Sequence, residues 1–191
     1  MAGRQAKILN PQLLKRMLRL TARSATPERD RVIVLFSVLA GLRACEIAGA
    51  EWSMVLDVRG HVSRVLELPD RVAKKGSGRR IPLHPDLRGA LSDLRRMAPS
   101  SGPIIRSKRG GSLRPNSIVN WFVALFHELG ADGCSSHSGR RTFITQAARQ
   151  AHRAGATLRD VQMLAGHKSI EVTAAYIDGD TDAQRRLVWG L

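Results

Sequence analysis

The segment VIVLFSVLA, Val32 to Ala40, constrains this chain most. It carries no charge and its only polar residue is Ser37, so it has no water-facing stripe. Such a segment folds as a helix buried on most sides, with other helices packed around it. Pro27-Glu28 is a suitable helix start, and Gly41 supplies the stop. The run is far short of the roughly 20 apolar residues a bilayer requires. A chain of 191 residues, 43% hydrophobic but only 4% aromatic, then builds its core from Leu, Val, Ile and Ala.

The remaining elements follow from local signals. Asn10-Pro11 reads as an N-cap followed by proline at the first helical position, and Leu13, Leu14, Met17 and Leu18 mark one apolar face. A short helix is expected at Ala44 to Gly49. EWSMVLDV and HVSRVLEL flank the turn Arg59-Gly60, and RRIPL follows the loop VAKKGSG, so three short strands are expected. Pro82 suits an edge strand. From Pro85 onward the chain reads as helices: PDLRGALSDLRRM, PNSIVNWFVALFHELG, SGRRTFITQAARQAHRAG, TLRDVQMLAG and SIEVTAAYID. The predicted architecture is mainly α with a small three-stranded antiparallel sheet (α+β). It forms a single domain over 1–191, with a core of about 10–178 and a tail helix in 179–191.

Lys and Arg number 31 against 16 Asp and Glu, a formal charge of +15. The basic residues are spread through the chain, as in a surface that attracts nucleic acid or another polyanion. No segment combines Lys and Arg with Trp and Phe as an interfacial membrane helix does. The N-terminus MAGRQAKILNPQLL has no apolar signal core, so a cytoplasmic, nucleoid-associated protein without a membrane partner is expected. Cys45 reads as a buried thiol. Cys134 and His137 form a lone CxxH, too little for zinc, and no metal site is expected.

Four separated motifs carry chemistry: GLRACEI with Arg43, AKKGSGRRIPL with Lys74 and Lys75, HSGRRTF with His137 and Arg140, and AGHKSIEVTAAYI with His167 and Tyr176. Each alone has an ordinary explanation: a capping arginine, exposed lysines, a structural histidine, a packed tyrosine. In this order they resemble the catalytic domain of tyrosine recombinases, the phage integrase family, from about Asn10 to Asp178. GHxSIxxTxxY and GLRxxEI are the specific parts.

The resemblance implies a site-specific DNA recombinase that cleaves and rejoins strands through a 3′-phosphotyrosyl intermediate, in integration, excision or inversion. Tyr176 is the implied nucleophile. Arg43 and Arg140 are the implied phosphate clamp, which suits guanidinium groups that bind anionic oxygens in bidentate geometry and stay charged. His167 is implied to hydrogen-bond the phosphoryl group, and His137 is a candidate proton acceptor. Lys74 is the implied general acid for the 5′-oxygen, with Lys75 as the alternative, and Glu46 supports Arg43. Arg79, Arg80, Arg141 and Lys168 are expected to contact DNA. No cofactor is implied, because covalent storage of the bond energy allows rejoining without ATP or metal.

The expected partner is double-stranded DNA, bound by a homotetramer on paired sites, by a monomer in solution, and with accessory recombination proteins in some reactions. Leu187, Val188 and Trp189 suit either docking on a neighbouring protomer or folding back on their own core. The core-binding domain that precedes the catalytic one in most integrases is expected to be absent, and the short form resembles the fimbrial phase-switch invertases. A type IB topoisomerase shares the chemistry, and a non-catalytic DNA-binding regulator shares the scaffold. The sequence departs from the family at Gly139, where many members carry Leu, at AGH in place of LGH, and in a longer stretch between Arg140 and His167.

Overall fold

A computed structural model describes residues 6–73, 76–97, 99, 101–107, 109–176 and 188–190. Its axis is α2 (Pro27–Leu39), in which every residue from Val32 to Val38 is buried. α1 (Pro11–Thr21), α3 (Ala44–Ala48), α4 (Pro85–Met97) and α6 (Ser138–Ala151) pack around it, and α5 (Pro115–Glu128) packs on α3. Phe36, Trp52, Leu66, Ile81, Leu87, Leu91 and Phe122 fill the shared core.

Local chemistry sets the element ends. The Asn10 side chain accepts the Leu13 N–H at 2.7 Å, capping α1. Beyond α2, Gly41 turns the chain at φ 62° and a Cβ there would collide with the Phe143 ring, so only glycine fits. α7 (Leu158–Ala165) ends on Gly166, also left-handed at φ 63°, and α8 (Ile170–Ala174) follows. A second apolar cluster, Ile144, Ala151, Val161 and Ala165, joins α6 to α7, and Phe143 and Tyr176 pack against it.

The sheet is smaller than expected. Among the described residues it has two antiparallel strands, β1 (Val65–Leu68) and β2 (Arg79–Pro82), with Leu66 opposite Ile81 and Leu68 opposite Arg79. The expected first strand, EWSMVLDV, instead contains a 3₁₀ turn at Trp52–Met54, leaving only bridges Glu51 to Pro103 and Leu56 to Val62. Trp52, Met54 and Val55 are all buried, a pattern no half-exposed strand shows. The Trp52 N–H bonds the Gly102 carbonyl, so this segment is tied to a distant loop. Cys45 is partly exposed rather than buried. Most of the expected tail helix lies outside the described residues.

Gly139 has a structural reason. α6 lies so close to α2 that a Cβ at 139 would overlap Ser37 Oγ and come within 2.9 Å of Ser37 Cβ. The departure at 139 accompanies a tight helix crossing directly beside Arg140. Among the described residues no helix is long and apolar enough to cross a membrane, and no group of three or more His, Cys, Asp or Glu could hold a metal ion.

Candidate active site

Arg43 opens α3 just past the Gly41 turn. Its backbone N–H donates to Glu46 Oε2 at 2.9 Å, and its Nη1 donates to Glu46 Oε1 at 2.8 Å. The Glu46 side chain is fully buried. Burial alone would raise its carboxyl. The hydrogen bonds and charge of Arg79, then the backbone N–H and charge of Arg43, outweigh burial and hold it at about 2.

Arg140 stands in the first turn of α6 with its side chain almost wholly inside. Nη1 donates to the Gly41 carbonyl and Nη2 to the Ala165 carbonyl, both at 2.6 Å. Nη2 also lies 3.0 Å from His167 Nε2. One guanidinium thus joins the turn after α2 to the end of α7. Burial, then the charges of Arg43 and Arg79 against the opposing charge of Glu46, lowers Arg140 to about 10, so it stays charged at neutral pH.

The Arg140 contact also decides the protonation of His167. A guanidinium only donates, so Nε2 is the acceptor. The ring proton then sits on Nδ1 and donates to Thr173 Oγ1 at 3.0 Å. Burial, then Arg140, Arg43 and Arg79, lowers His167 to about 4, and the ring is neutral at pH 7. Gln162 fixes the backbone of the same turn, donating from Nε2 to the His167 carbonyl at 2.9 Å.

Tyr176 follows α8, and Thr145 Oγ1 donates to its carbonyl at 3.1 Å. Its ring lies over the His167 imidazole, with centroids 5.3 Å apart and planes inclined by 29°. A cleft of about 540 Å³ opens beside it, lined by Lys7, Cys134, His137, Arg140, Arg141 and Tyr176 among others. Among the described residues no acidic side chain lines it. The backbone at its edge is held by the Lys7 N–H to the Gly133 carbonyl and by Arg141 Nη1 to the Ala6 carbonyl.

The fold therefore gathers Arg43, Glu46, Arg140, His167 and Tyr176, with His137 exposed at the N-cap of α6 and lining the cleft that Arg140 and Tyr176 also line. Lys74 and Lys75 lie outside the described residues, as does Leu187; Val188 and Trp189 are exposed. Arg80 points outward and pairs with Glu67 across the strands at 3.2 Å, and Lys168 is exposed. Arg79, expected on the DNA-facing surface, points inward to Glu46 instead, its side chain 5% exposed. Thr173 is not among the residues expected from the sequence, although it is the Thr of GHxSIxxTxxY.

Comparison with known proteins identifies the family and the fold. The phage integrase family model matches residues 7–182. Tyrosine recombinase XerC of Mesorhizobium japonicum is 28% identical over 158 residues, 80% of this chain and 47% of that protein. XerC of Mycobacterium leprae is 32% identical over 154 residues, 78% of this chain and 49% of that protein. The chain spans about half the length of these relatives. Among solved structures, XerA recombinase superposes with a TM-score of 0.73 at 21% identity, covering 94% of this chain and 63% of that one. The Tn1549 transposon integrase in complex with a circular intermediate DNA superposes at 0.76 with 16% identity, covering 100% of this chain and 67% of that one. At these identities the superpositions establish the tyrosine recombinase catalytic fold.

Proposed function

The chain belongs to the phage integrase family, and from that premise we propose that it is a site-specific DNA recombinase with Tyr176 as its nucleophile. The observation that carries the reading is the Arg140–His167–Tyr176 series, whose two ends line one cleft: a buried cation bonded to an imidazole that is stacked on the phenol.

In the proposed reaction a DNA phosphodiester enters the cleft beside Tyr176, with Arg43 and Arg140 as its clamp. Both guanidinium groups face the non-bridging oxygens, whose charge grows in the transition state; fixed charge of this kind is usually the largest catalytic contribution. Tyr176 Oη attacks phosphorus, and His137 takes the phenolic proton. The bond from phosphorus to the 5′-oxygen breaks, and that oxygen leaves as a hydroxyl with a proton from Lys74, or from Lys75. One such proton transfer contributes about 10²- to 10⁴-fold in rate. The phosphodiester link on Tyr176 keeps the bond energy, so a 5′-hydroxyl reverses the steps and reseals the strand. The contact of Arg140 with His167 is exchanged on binding: the phosphate takes the Arg140 donor and favours a proton on Nε2, which makes His167 a donor as well.

Double-stranded DNA is the proposed partner, recognised through phosphate contacts from Arg80, Arg141 and Lys168. Assembly of a tetramer on paired sites is part of the same proposal. The test works without a defined target sequence. Wild type and Tyr176→Phe are expressed in a bacterial host, the cells are denatured, and protein-linked DNA is recovered and sequenced. Discrete sites joined through a 3′-phosphate in wild type alone are expected; equal recovery from both proteins overturns the reading.

A further inference from the structure

Arg79 is turned into the protein close to the cleft, its side chain buried against Glu46. On β2 the side chains alternate, Arg80 and Pro82 outward, Arg79 and Ile81 inward. Arg79 Nη1 and Nη2 grip Glu46 Oε1 and Oε2 at 3.2 and 3.0 Å. Its Nε donates to the Leu164 carbonyl at 2.8 Å, and Nη1 also donates to the Ser77 carbonyl at 3.3 Å. A Cβ on Gly166 would lie 2.9 Å from Nη1, so the guanidinium fills the space beneath the turn that carries His167.

This one side chain therefore bonds both α3, whose N-cap is Arg43, and the last turn of α7, which leads into His167. It also sets the charge of the site. Glu46 paired with Arg43 alone would cancel the Arg43 charge. With Arg79 present the three groups together keep one net positive charge, and Arg43 remains attractive to an anion. We infer that Arg79 is a positioning residue for DNA cleavage, holding Glu46 so that Arg43 and His167 face the same phosphate with Arg43 unneutralised. The inference rests on the recombinase reading above.

The role predicts an unusual genetic signature. In Arg79→Met the buried Glu46 carboxylate keeps Arg43, already bonded to it at 2.8 Å, as its one counter-ion and cancels the Arg43 charge. Removing that negative charge as well, in Glu46→Gln/Arg79→Met, releases Arg43. A residue that only supports the fold gives no such recovery. The test is single-turnover cleavage of a synthetic duplex carrying the site mapped from the wild-type adduct, with DNA affinity measured in parallel. Arg79→Met is expected to cleave about 10²-fold more slowly, the scale of a small misplacement of reacting groups, while binding DNA nearly as wild type does. The double variant is expected to cleave faster than Arg79→Met.

Arg79→Lys keeps the charge without the two-pronged grip and carries the test if the Met variant does not fold; it is expected to bind DNA and cleave slowly. Arg79→Lys or Arg79→Met cleaving at the wild-type rate, or no recovery in the double variant, overturns the positioning role and leaves the recombinase reading intact. A wild type that forms no Tyr176 adduct overturns that reading itself.

Discussion

The His167 imidazole is held on three sides: Arg140 Nη2 donates to Nε2, Thr173 Oγ1 accepts from Nδ1, and the Tyr176 ring stacks on its face at 5.3 Å. The contact with Arg140 forces the proton to Nδ1, and Thr173 receives it inside the protein.

Thr173→Val keeps the shape and removes the acceptor. Thr173 is fully buried, so the Nδ1–H is left without its partner, a loss of about 1–3 kcal/mol. Chemical denaturation measures this cost. Nitrogen NMR of the wild type in the absence of DNA is expected to show His167 protonated at Nδ1 at pH 7, with no titration between about pH 5.5 and 8.

Acid weakens the fold in two stages. His167 is lowered from 6.5 to about 4, so between these values the unfolded chain binds a proton that the native protein does not. Stability therefore falls as pH drops from 6.5 toward 4. Glu46 is lowered from 4.5 to about 2, and it adds a second loss as pH drops below 4.5. Thermal unfolding across about pH 3–8 is expected to give a Tm that is level above roughly pH 7 and declines below about 6.5. His167→Gln removes the first limb and keeps the second.

Gly139 and Ser37 form a coupled pair. Gly139→Ala is expected to cost about 1–3 kcal/mol through overpacking. Ser37 Oγ is buried without a hydrogen-bond partner among the described residues, so its removal breaks no bond. In a Ser37→Gly background the Gly139→Ala cost is expected to shrink, a non-additivity that denaturation of the two singles and the double variant measures.

Arg80 and Lys168 stand at the surface. Each one that contacts a phosphate contributes to the salt dependence of DNA binding. Arg80→Ala and Lys168→Ala are each expected to reduce the slope of log affinity against log salt by about 1. The Tm is expected to change little, because the Arg80–Glu67 pair is solvent-exposed.

Much of this is legible in the sequence where local chemistry decides the outcome. The Asn10-Pro11 cap, the stop at Gly41, and the bounds of α4 at Pro85 and Met97 follow from proline, glycine and apolar spacing. EWSMVLDV reads as a strand but is none, because its burial comes from contact with the distant loop at Gly102 rather than from strand alternation. In the site, Arg43, Arg140, His167 and Tyr176 stand out as an ordered set of motifs. Arg79 does not, since an arginine beginning a strand reads as a surface residue. Only the meeting of α3, β2 and α7 turns it toward Glu46. Likewise the glycine at 139 is visible as a departure, but its cause lies in Ser37 on another helix.

Tyr176 as nucleophile is tested most directly by identifying the residue that carries the DNA. Protein–DNA adducts from wild-type cells are digested with nuclease and protease, and the linked peptide is sequenced by mass spectrometry. A nucleotide joined through its 3′-phosphate to Tyr176, and absent from the Tyr176→Phe protein, is the predicted result. A nucleotide attached to any other residue, or no DNA-linked peptide from a wild type that binds DNA, contradicts the account.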